Sequence, residues 1–206
     1  MLYGFQNIEI RVETICHMIY YKYNQFFMRG EFIMDAITRR YISVIAERVR
    51  NVYNIVTPIK DMKDIVRKLG GVIEEKIDFD DLCDGTIQKK GEDSFVIVIS
   101  PFQNEQRKAF TIAHELGHLF LHMGFMTDKE CWDTQNQTIY RRFGTTEQEY
   151  QANEFAAALL MPENEYKQVL DLFSQNNRVD MNEVAKYFNV SVSAAVNRGR
   201  FLGYLV

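Results

Sequence analysis

The sequence predicts an α+β fold. In this fold, a small, mostly antiparallel sheet packs on a central helix and on a second long helix. A C-terminal helical segment of helix-turn-helix form follows. Strong helical periodicity on both sides of a short stretch of strand patterns predicts this mixture of elements. Two strand candidates flank a charged turn with a glycine, which predicts a hairpin. Near the end, two helical patterns flank Asn189-Val190-Ser191, and the serine is a typical N-cap for the second helix.

Length and composition indicate one packed domain with a small appendage. The chain has 206 residues, of which 47% are hydrophobic and 25% are charged. A chain of this size buries roughly two-thirds of its surface on folding, so it does not need disulfides to hold a small domain together. Its composition also excludes a disordered chain. The 24 Lys and Arg against 28 Asp and Glu give a net charge of −4, so any nucleic-acid contact would have to be local.

Residues 1–33 form an N-terminal extension without clear periodicity, whereas an amphipathic helix begins at Met34-Asp35 and continues to Val52. The tripeptide Arg29-Gly30-Glu31 can be encoded by a purine-rich ribosome-binding sequence just before Met34. We therefore expect translation to begin at Met34. The alternative is a translated aromatic helix that packs on the body of the protein.

Cysteine usage and hydropathy predict a cytoplasmic protein that does not contact a membrane. Cys16, Cys83 and Cys131 are odd in number and widely spaced, which is typical of free thiols in a reducing compartment. No apolar run reaches the roughly 18 residues of a membrane span. The first thirty residues also lack the pattern of a signal peptide.

A short helix is predicted from Asp61 to Leu69, and a strand begins at Val72-Ile73. Strand candidates at Thr86-Ile87 and at 94–99 then form the predicted hairpin. The second of these is almost continuously apolar, which is typical of an interior strand. The alternative is an exposed edge that pairs with an extended peptide.

Helical patterns dominate the rest of the chain. They lie at 102–123, at 146–161 before Pro162, at 181–188, and from 192 through Arg198. The stretch from 124 to 146 is polar and without periodicity, so it is predicted to be irregular.

The longest of these helices carries His114-Glu115-Leu116-Gly117-His118. Four residues advance an α-helix by about 400°, so both imidazoles lie on one face and can bind one ion. Neutral imidazoles suit Zn²⁺, with Mn²⁺ as the alternative, and Glu115 can reach a metal-bound water as general base. The helix is apolar on two faces, which predicts a central position in the fold.

The third ligand is predicted on the helix at 146–161. Glu149 lies one turn before Ala152, on the edge of the buried stripe, whereas Glu147 and Glu154 are rotated away from that stripe. Small residues such as Gly117 and Ala152 would let the two helices approach closely. A solvated carboxylate at the helix start is the alternative for Glu149.

Two more polar residues have predicted roles around the ligands. Asn153, one turn beyond Glu149, is expected to bind the outer nitrogen of a ligand histidine and to fix its tautomer. His122 is interpreted as a hydrogen-bonded or dipole-favoured residue at the helix end. The alternative of a third histidine ligand is weaker, because no glycine turn precedes His122 as the metzincin spacing requires.

The segments FTIAHELGHLFLH at 110–122 and QANEFAAALLMP at 151–162 resemble the two signature blocks of the ImmA/IrrE-type metallopeptidases. The resemblance extends from about Met34 to the C-terminus. It implies a thermolysin-like site, with His114, His118 and Glu149 as metal ligands and Glu115 as the catalytic residue. Many members have Glu or Arg at the position of Gln151 and Asp at the position of Asn153, and an Asn raises the basicity of its histidine less than a carboxylate does.

This resemblance divides the chain into the extension 1–33, a metallopeptidase domain at 34–165 and a C-terminal helical segment at 166–206. A second oxyanion donor is also required, and the candidates in the irregular stretch are Tyr140, Arg141 and Arg142. A solvated basic loop is the alternative interpretation of these three residues.

The function predicted from these features is zinc-dependent endopeptidase activity. The resemblance implies that the substrate is a helix-turn-helix repressor, whose cleavage releases genes of a mobile element, a prophage or a stress response. The alternative is a non-catalytic, metal-stabilised regulator that binds a repressor or a toxin. Direct DNA binding is not expected, because the C-terminal helices have few basic side chains: Lys186, Arg198 and Arg200.

Overall fold

The computed structural model describes residues 36–77, 84–135, 139–140, 146–176 and 178–205. These residues form eight helices and six strands, which confirms the predicted α+β class. The N-terminal extension 1–33, the expected start at Met34, and Cys16 and Cys83 lie outside the described residues. Within the described ranges, no helix is both long enough and apolar enough to cross a membrane.

The elements follow one another in a simple order. They are α1 (Ala36–Val52), α2 (Met62–Lys68), β1 (Gly71–Glu75), β2 (Gly85–Gly91), β3 (Ser94–Ile99), α3 (Glu105–Leu121), α4 (Lys129–Thr134), β4 (Ile139–Tyr140), α5 (Thr146–Leu160), α6 (Glu163–Leu172), β5 (Ser174–Gln175), β6 (Arg178–Val179), α7 (Met181–Phe188) and α8 (Val192–Phe201). The short helix α4 and strand β4 lie in the stretch that was predicted to be irregular. Helix α6 and the β5–β6 pair were not predicted either.

The larger sheet has the strand order β1-β3-β2-β4. Strands β2 and β3 form the predicted antiparallel hairpin, with Ile87 opposite Ile97, and β4 pairs antiparallel with β2. Only β1 runs parallel to its neighbour, with Gly71 opposite Phe95. Strand β3 is therefore interior, so the edge-strand alternative for residues 95–99 is wrong.

The core lies between the sheet and the two long helices. Phe95, Ile97 and Ile99 alternate along β3 and are buried, as the period of two in a strand requires. Helix α3 contacts β2, β3 and α5, and α1 packs on α5. Because α3 is covered by both the sheet and α5, its sequence is apolar on two faces, as predicted.

The C-terminal helices have well-defined caps. Asp180 accepts hydrogen bonds from the backbone at the start of α7, and Asn189 ends this helix in the left-handed conformation at φ 53°. Ser191 Oγ accepts a hydrogen bond of 3.1 Å from Ala194 N at the start of α8. The predicted helix-turn-helix form thus follows from ordinary capping chemistry.

Candidate metal centre

Helix α3 brings two imidazoles together in an edge-to-face arrangement, with an angle of 74° between the ring planes. Asn104 caps the helix by accepting a hydrogen bond of 2.8 Å from Arg107 N. About three turns later, His114 and His118 lie one turn apart, and their Nε2 atoms are separated by 3.0 Å. His118 is only 4% exposed, and desolvation lowers its pKa. A neutral His118 can offer a lone pair to a cation.

Glu149, near the start of α5, completes a cluster of three potential ligands. Its Oε2 lies 3.2 Å from His114 Nε2, and its Oε1 lies 3.4 Å from His118 Nε2. The helices approach closely because Gly117 has no side chain: a Cβ at this position would lie 2.9 Å from Ala152 Cα. The structure therefore brings together the three residues that the sequence predicts as ligands.

The cluster fits a divalent cation such as Zn²⁺. One ligand atom from each residue lies within 4.8 Å of the others. In a tetrahedral zinc site with bonds of about 2.0–2.1 Å, ligand atoms lie roughly 3.3 Å apart, which is close to the observed separations. Among the described residues, none donates a hydrogen bond to the buried Oε1 of Glu149. A cation would compensate this carboxylate, and two imidazoles with one carboxylate form a ligand set typical of catalytic zinc.

Glu115 is buried against the sheet. It is 4% exposed, and it lies close to Gly85 at the start of β2. A Cβ on Gly85 would lie 3.0 Å from Glu115 Oε1 and 2.6 Å from Thr111 Cγ2. Gly85 therefore leaves the space that the Glu115 carboxylate occupies. The sequence gives no signal for this role, since a glycine at a strand end is common.

Asn153 and His122 contact the outer nitrogens of the two paired histidines. Asn153 Oδ1 lies 3.0 Å from His114 Nδ1, the contact that was predicted for it. His122 lies behind His118, with a distance of 2.9 Å between the two Nδ1 atoms, and does not join the ligand cluster. Its other nitrogen, Nε2, lies 3.0 Å from Gln151 Oε1, a partner that sequence analysis did not identify.

Glu154 is buried, which helical geometry alone does not predict. The sequence puts it away from the buried stripe of α5, but it is only 6% exposed. Arg198 Nη1 donates a hydrogen bond of 2.7 Å to Glu154 Oε1, and both side chains are buried. Glu154 thus lies away from the stripe that contains Ala152, as its position in the helix predicts, and it is nevertheless buried because Arg198 of α8 contacts it there.

The predicted oxyanion donors lie largely outside the described residues. Tyr140 belongs to β4, where its backbone pairs with Ile87, but its side chain is not described. Arg141 and Arg142 fall entirely in an undescribed segment. Their role stays a prediction.

A cavity of about 830 Å³ lies beside the cluster of potential ligands. Phe110 from α3, Tyr150 and Asn153 from α5, and Ser193 and Asn197 from α8 contribute to its walls. Since Asn153 also contacts His114, the cavity adjoins the ligand cluster. The C-terminal helix is therefore part of the surroundings of the site.

Comparisons with known proteins agree with this geometry. The sequence model described as the IrrE N-terminal-like domain, peptidase family M78, matches residues 68–199. Among solved structures, a Mycobacterium tuberculosis transcriptional regulator is similar in fold, with a TM-score of 0.53 and 17% sequence identity. The similarity covers 91% of this chain and 50% of the regulator, so the chain spans about half of that protein. A search of curated proteins gave no match.

The family match includes β1, the β2–β3 hairpin, α3 with its paired histidines, and α5 with Glu149. It covers well over half of the chain, and its residues contain every member of the ligand cluster. The resemblance noted in the two sequence blocks is thereby confirmed. The chain belongs to the IrrE N-terminal-like family of M78 peptidases.

Proposed function

We propose that the protein is a metal-dependent endopeptidase, with Zn²⁺ as the working metal and Mn²⁺ as the alternative. The observation that carries this proposal is the convergence of His114, His118 and Glu149 from two helices on one point. Membership of a peptidase family supports a metallopeptidase-like function. The buried Glu115, next to His114 in the chain, supplies the general base that such a reaction needs.

The chemistry divides between the cation and the protein. A divalent cation held by these ligands would polarise the scissile carbonyl and acidify a water molecule. His114 and His118 would hold this cation through Nε2, and Glu149 would hold it through its carboxylate. Glu115 accepts a proton from the attacking water and returns it to the leaving amine. Tyr140, Arg141 or Arg142 donates a hydrogen bond to the developing oxyanion.

The substrate that we propose is a helix-turn-helix transcriptional repressor, whose cleavage would relieve repression of a mobile element, a prophage or stress genes. The sequence resemblance to ImmA/IrrE-type enzymes supports this class of substrate. The adjoining cavity, which is lined in part by Asn153, offers room for an extended polypeptide segment.

Direct DNA binding is not part of the proposal. Of the three basic side chains in the last two helices, Arg198 is 2% exposed and is paired with Glu154. That leaves Lys186 and Arg200, too few for the basic surface that DNA binding requires.

We also propose a cytoplasmic location, which agrees with the free thiol of Cys131. The division into 34–165 and 166–206 remains a proposal, with its boundary inside α6.

The decisive experiment mixes the purified protein with the repressor encoded beside its gene, with and without a chelator, and detects fragments by mass spectrometry. We expect metal-dependent cleavage by the parent protein. Glu115→Gln should retain bound zinc but lower the cleavage rate by a factor of at least about 100. Glu105→Gln is the matched control, because this carboxylate is on the same helix and 88% exposed.

Undiminished cleavage by Glu115→Gln would refute the assignment of the general base. Tight binding of the repressor without any fragments would instead favour a non-catalytic regulator.

A further inference from the structure

We propose that His122 and Gln151 together position His118, by fixing the tautomer in which its Nε2 presents a lone pair to the ligand cluster. This inference rests on the metal centre of the proposed function but not on peptide cleavage. It assigns His122 a role as a positioning residue, distinct from the ligand and helix-end roles considered from the sequence.

The contacts form one continuous row. His118 Nδ1 lies 2.9 Å from His122 Nδ1, and His122 Nε2 lies 3.0 Å from Gln151 Oε1. The row continues from Gln151 Nε2, which donates a hydrogen bond of 3.4 Å to Glu147 Oε1. His118 and Gln151 are each 4% exposed, so water has little access to replace these contacts.

The proton positions in this row follow from the ligand role of His118. A metal-binding imidazole is neutral and uses its unprotonated nitrogen, so His118 carries its single proton on Nδ1. Because two N–H groups cannot face each other at 2.9 Å, His122 Nδ1 is the acceptor. His122 must then carry its own proton on Nε2, which needs an acceptor. Gln151 Oε1 is that acceptor, since the amide nitrogen is turned toward Glu147.

The other ligand histidine is oriented in a simpler way. His114 Nδ1 lies 3.0 Å from Asn153 Oδ1, and one amide oxygen is enough to hold the proton on Nδ1. His118 reaches its amide on α5 only through the intervening ring of His122. Both ligand histidines are thus oriented by neutral amides of the same helix, directly in one case and through a second imidazole in the other.

Zinc affinity is the test, because it reports on the site without requiring turnover. Gln151→Leu removes the acceptor at nearly constant size, whereas Gln151→Glu keeps an acceptor oxygen. We expect Gln151→Leu to bind zinc about 10- to 100-fold more weakly in chelator competition, the range typical of lost outer contacts to ligand histidines. Gln151→Glu should stay within about threefold of the parent. Equal zinc affinities for the two variants would overturn the proposal.

A direct measurement of the tautomers covers the case in which a variant folds poorly. The chain has four histidines, so long-range ¹H–¹⁵N spectra of the zinc-loaded parent are simple to assign. We expect a proton on Nδ1 of His118 and on Nε2 of His122. A proton on Nδ1 of His122 would overturn the proposal. A protein with the expected tautomers and zinc affinities that cleaves no repressor would leave this inference intact and refute the proposed function alone.

Discussion

Two of the carboxylates on helix α5, Glu149 and Glu154, are five positions apart and lie in contrasting surroundings. Glu149 contacts the Nε2 atoms of His114 and His118, at 3.2 and 3.4 Å. Glu154 contacts the guanidinium of Arg198 at 2.7 Å and is almost fully buried. Arginine is a permanent cation, whereas the imidazoles beside Glu149 carry positive charge only when protonated. Glu154 is therefore paired with a permanent cation of the chain itself. The positive charge beside Glu149 is not permanent, because it depends on protonation of the imidazoles or on a bound cation.

The pKa values of the two carboxyl groups move in opposite directions. Burial alone would raise the pKa of Glu149, but the neighbouring imidazoles of His114 and His118 outweigh it and hold this pKa well below its ordinary value. Burial raises the pKa of Glu154 to about 7, although the charge of Arg198 opposes the shift. Glu149 therefore stays ionised beside two imidazoles whose protons can be lost. Such a carboxylate is suited to bind a metal, because the cation displaces the imidazole protons.

The largest effect that we predict is a difference in zinc affinity between variants of the two carboxylates, Glu149 and Glu154. Glu149→Gln removes the only anionic ligand of the cluster, so zinc should bind more weakly by more than the roughly 100-fold upper range of outer-contact mutations. Glu154→Gln should leave zinc affinity unchanged. Isothermal titration calorimetry of both variants provides the measurement, and similar losses in the two would contradict the contrast.

Metal removal should destabilise the fold only where Glu149 is intact. With free zinc at about 100 times its dissociation constant, binding to the folded state adds about 2.7 kcal/mol to the free energy of unfolding. For a chain of this length that corresponds to roughly 5–10 °C in Tm. Differential scanning calorimetry with and without EDTA should show this difference for the parent and for Glu154→Gln. A comparable EDTA effect in Glu149→Gln would show that the stabilising metal lies elsewhere.

Glu154 should control a pH dependence of stability. Its pKa is raised from 4.5 to about 7 on folding, so its contribution to stability is complete below pH 4.5 and is lost as the pH rises through 7. The loss amounts to at most about 3 kcal/mol. Glu154→Gln cannot ionise, so between pH 5 and pH 8 it should gain stability relative to the parent. Urea unfolding at both pH values tests this, and a relative loss for the variant at pH 8 would show that the ion pair is net stabilising.

The smallest effects on stability are expected from two glycine substitutions, Gly117→Ala and Gly199→Ala. Comparing their zinc affinities shows whether the spacing of α3 and α5 matters for the ligand cluster. A Cβ on Gly117 would meet Ala152 in α5, and a Cβ on Gly199 would lie 2.5 Å from Leu205 Cδ1. Each alanine variant should lose about 1–3 kcal/mol of stability by overpacking. Only Gly117→Ala should also weaken zinc binding, since it moves the helix of Glu149 away from the histidines. Equal zinc affinity in the two variants would argue against coupling between helix spacing and the site.

Local rules were enough to predict the parts of the site that depend on one helix at a time. The spacing of His114 and His118 is set by the α-helical turn, and the position of Glu149 follows from its offset from Ala152. The predicted helices and the hairpin rest on periodicity and turn residues, which are also local. The family resemblance could likewise be read from two short continuous segments.

The rest depends on contacts between distant parts of the chain. Glu154 is buried because it pairs with Arg198. That partner is 44 residues further along the chain, so no local pattern predicts the pair. Gln151 contacts His122 because α5 packs against the end of α3, and no local pattern predicts that packing. Helix α4 has six residues and β5 and β6 have two each, so none is long enough to show a period in the sequence.

The main chain at Gly85 limits how this scaffold can be redesigned. A side chain at this position would collide with Thr111 and Glu115, so the wall beside the Glu115 carboxylate consists of backbone atoms at this point. Substitutions at Gly85 would therefore displace the Glu115 carboxylate rather than reshape the cavity. Diversity introduced from the opposite side, at exposed positions of α8 such as Ser193, would alter the cavity while leaving that wall untouched.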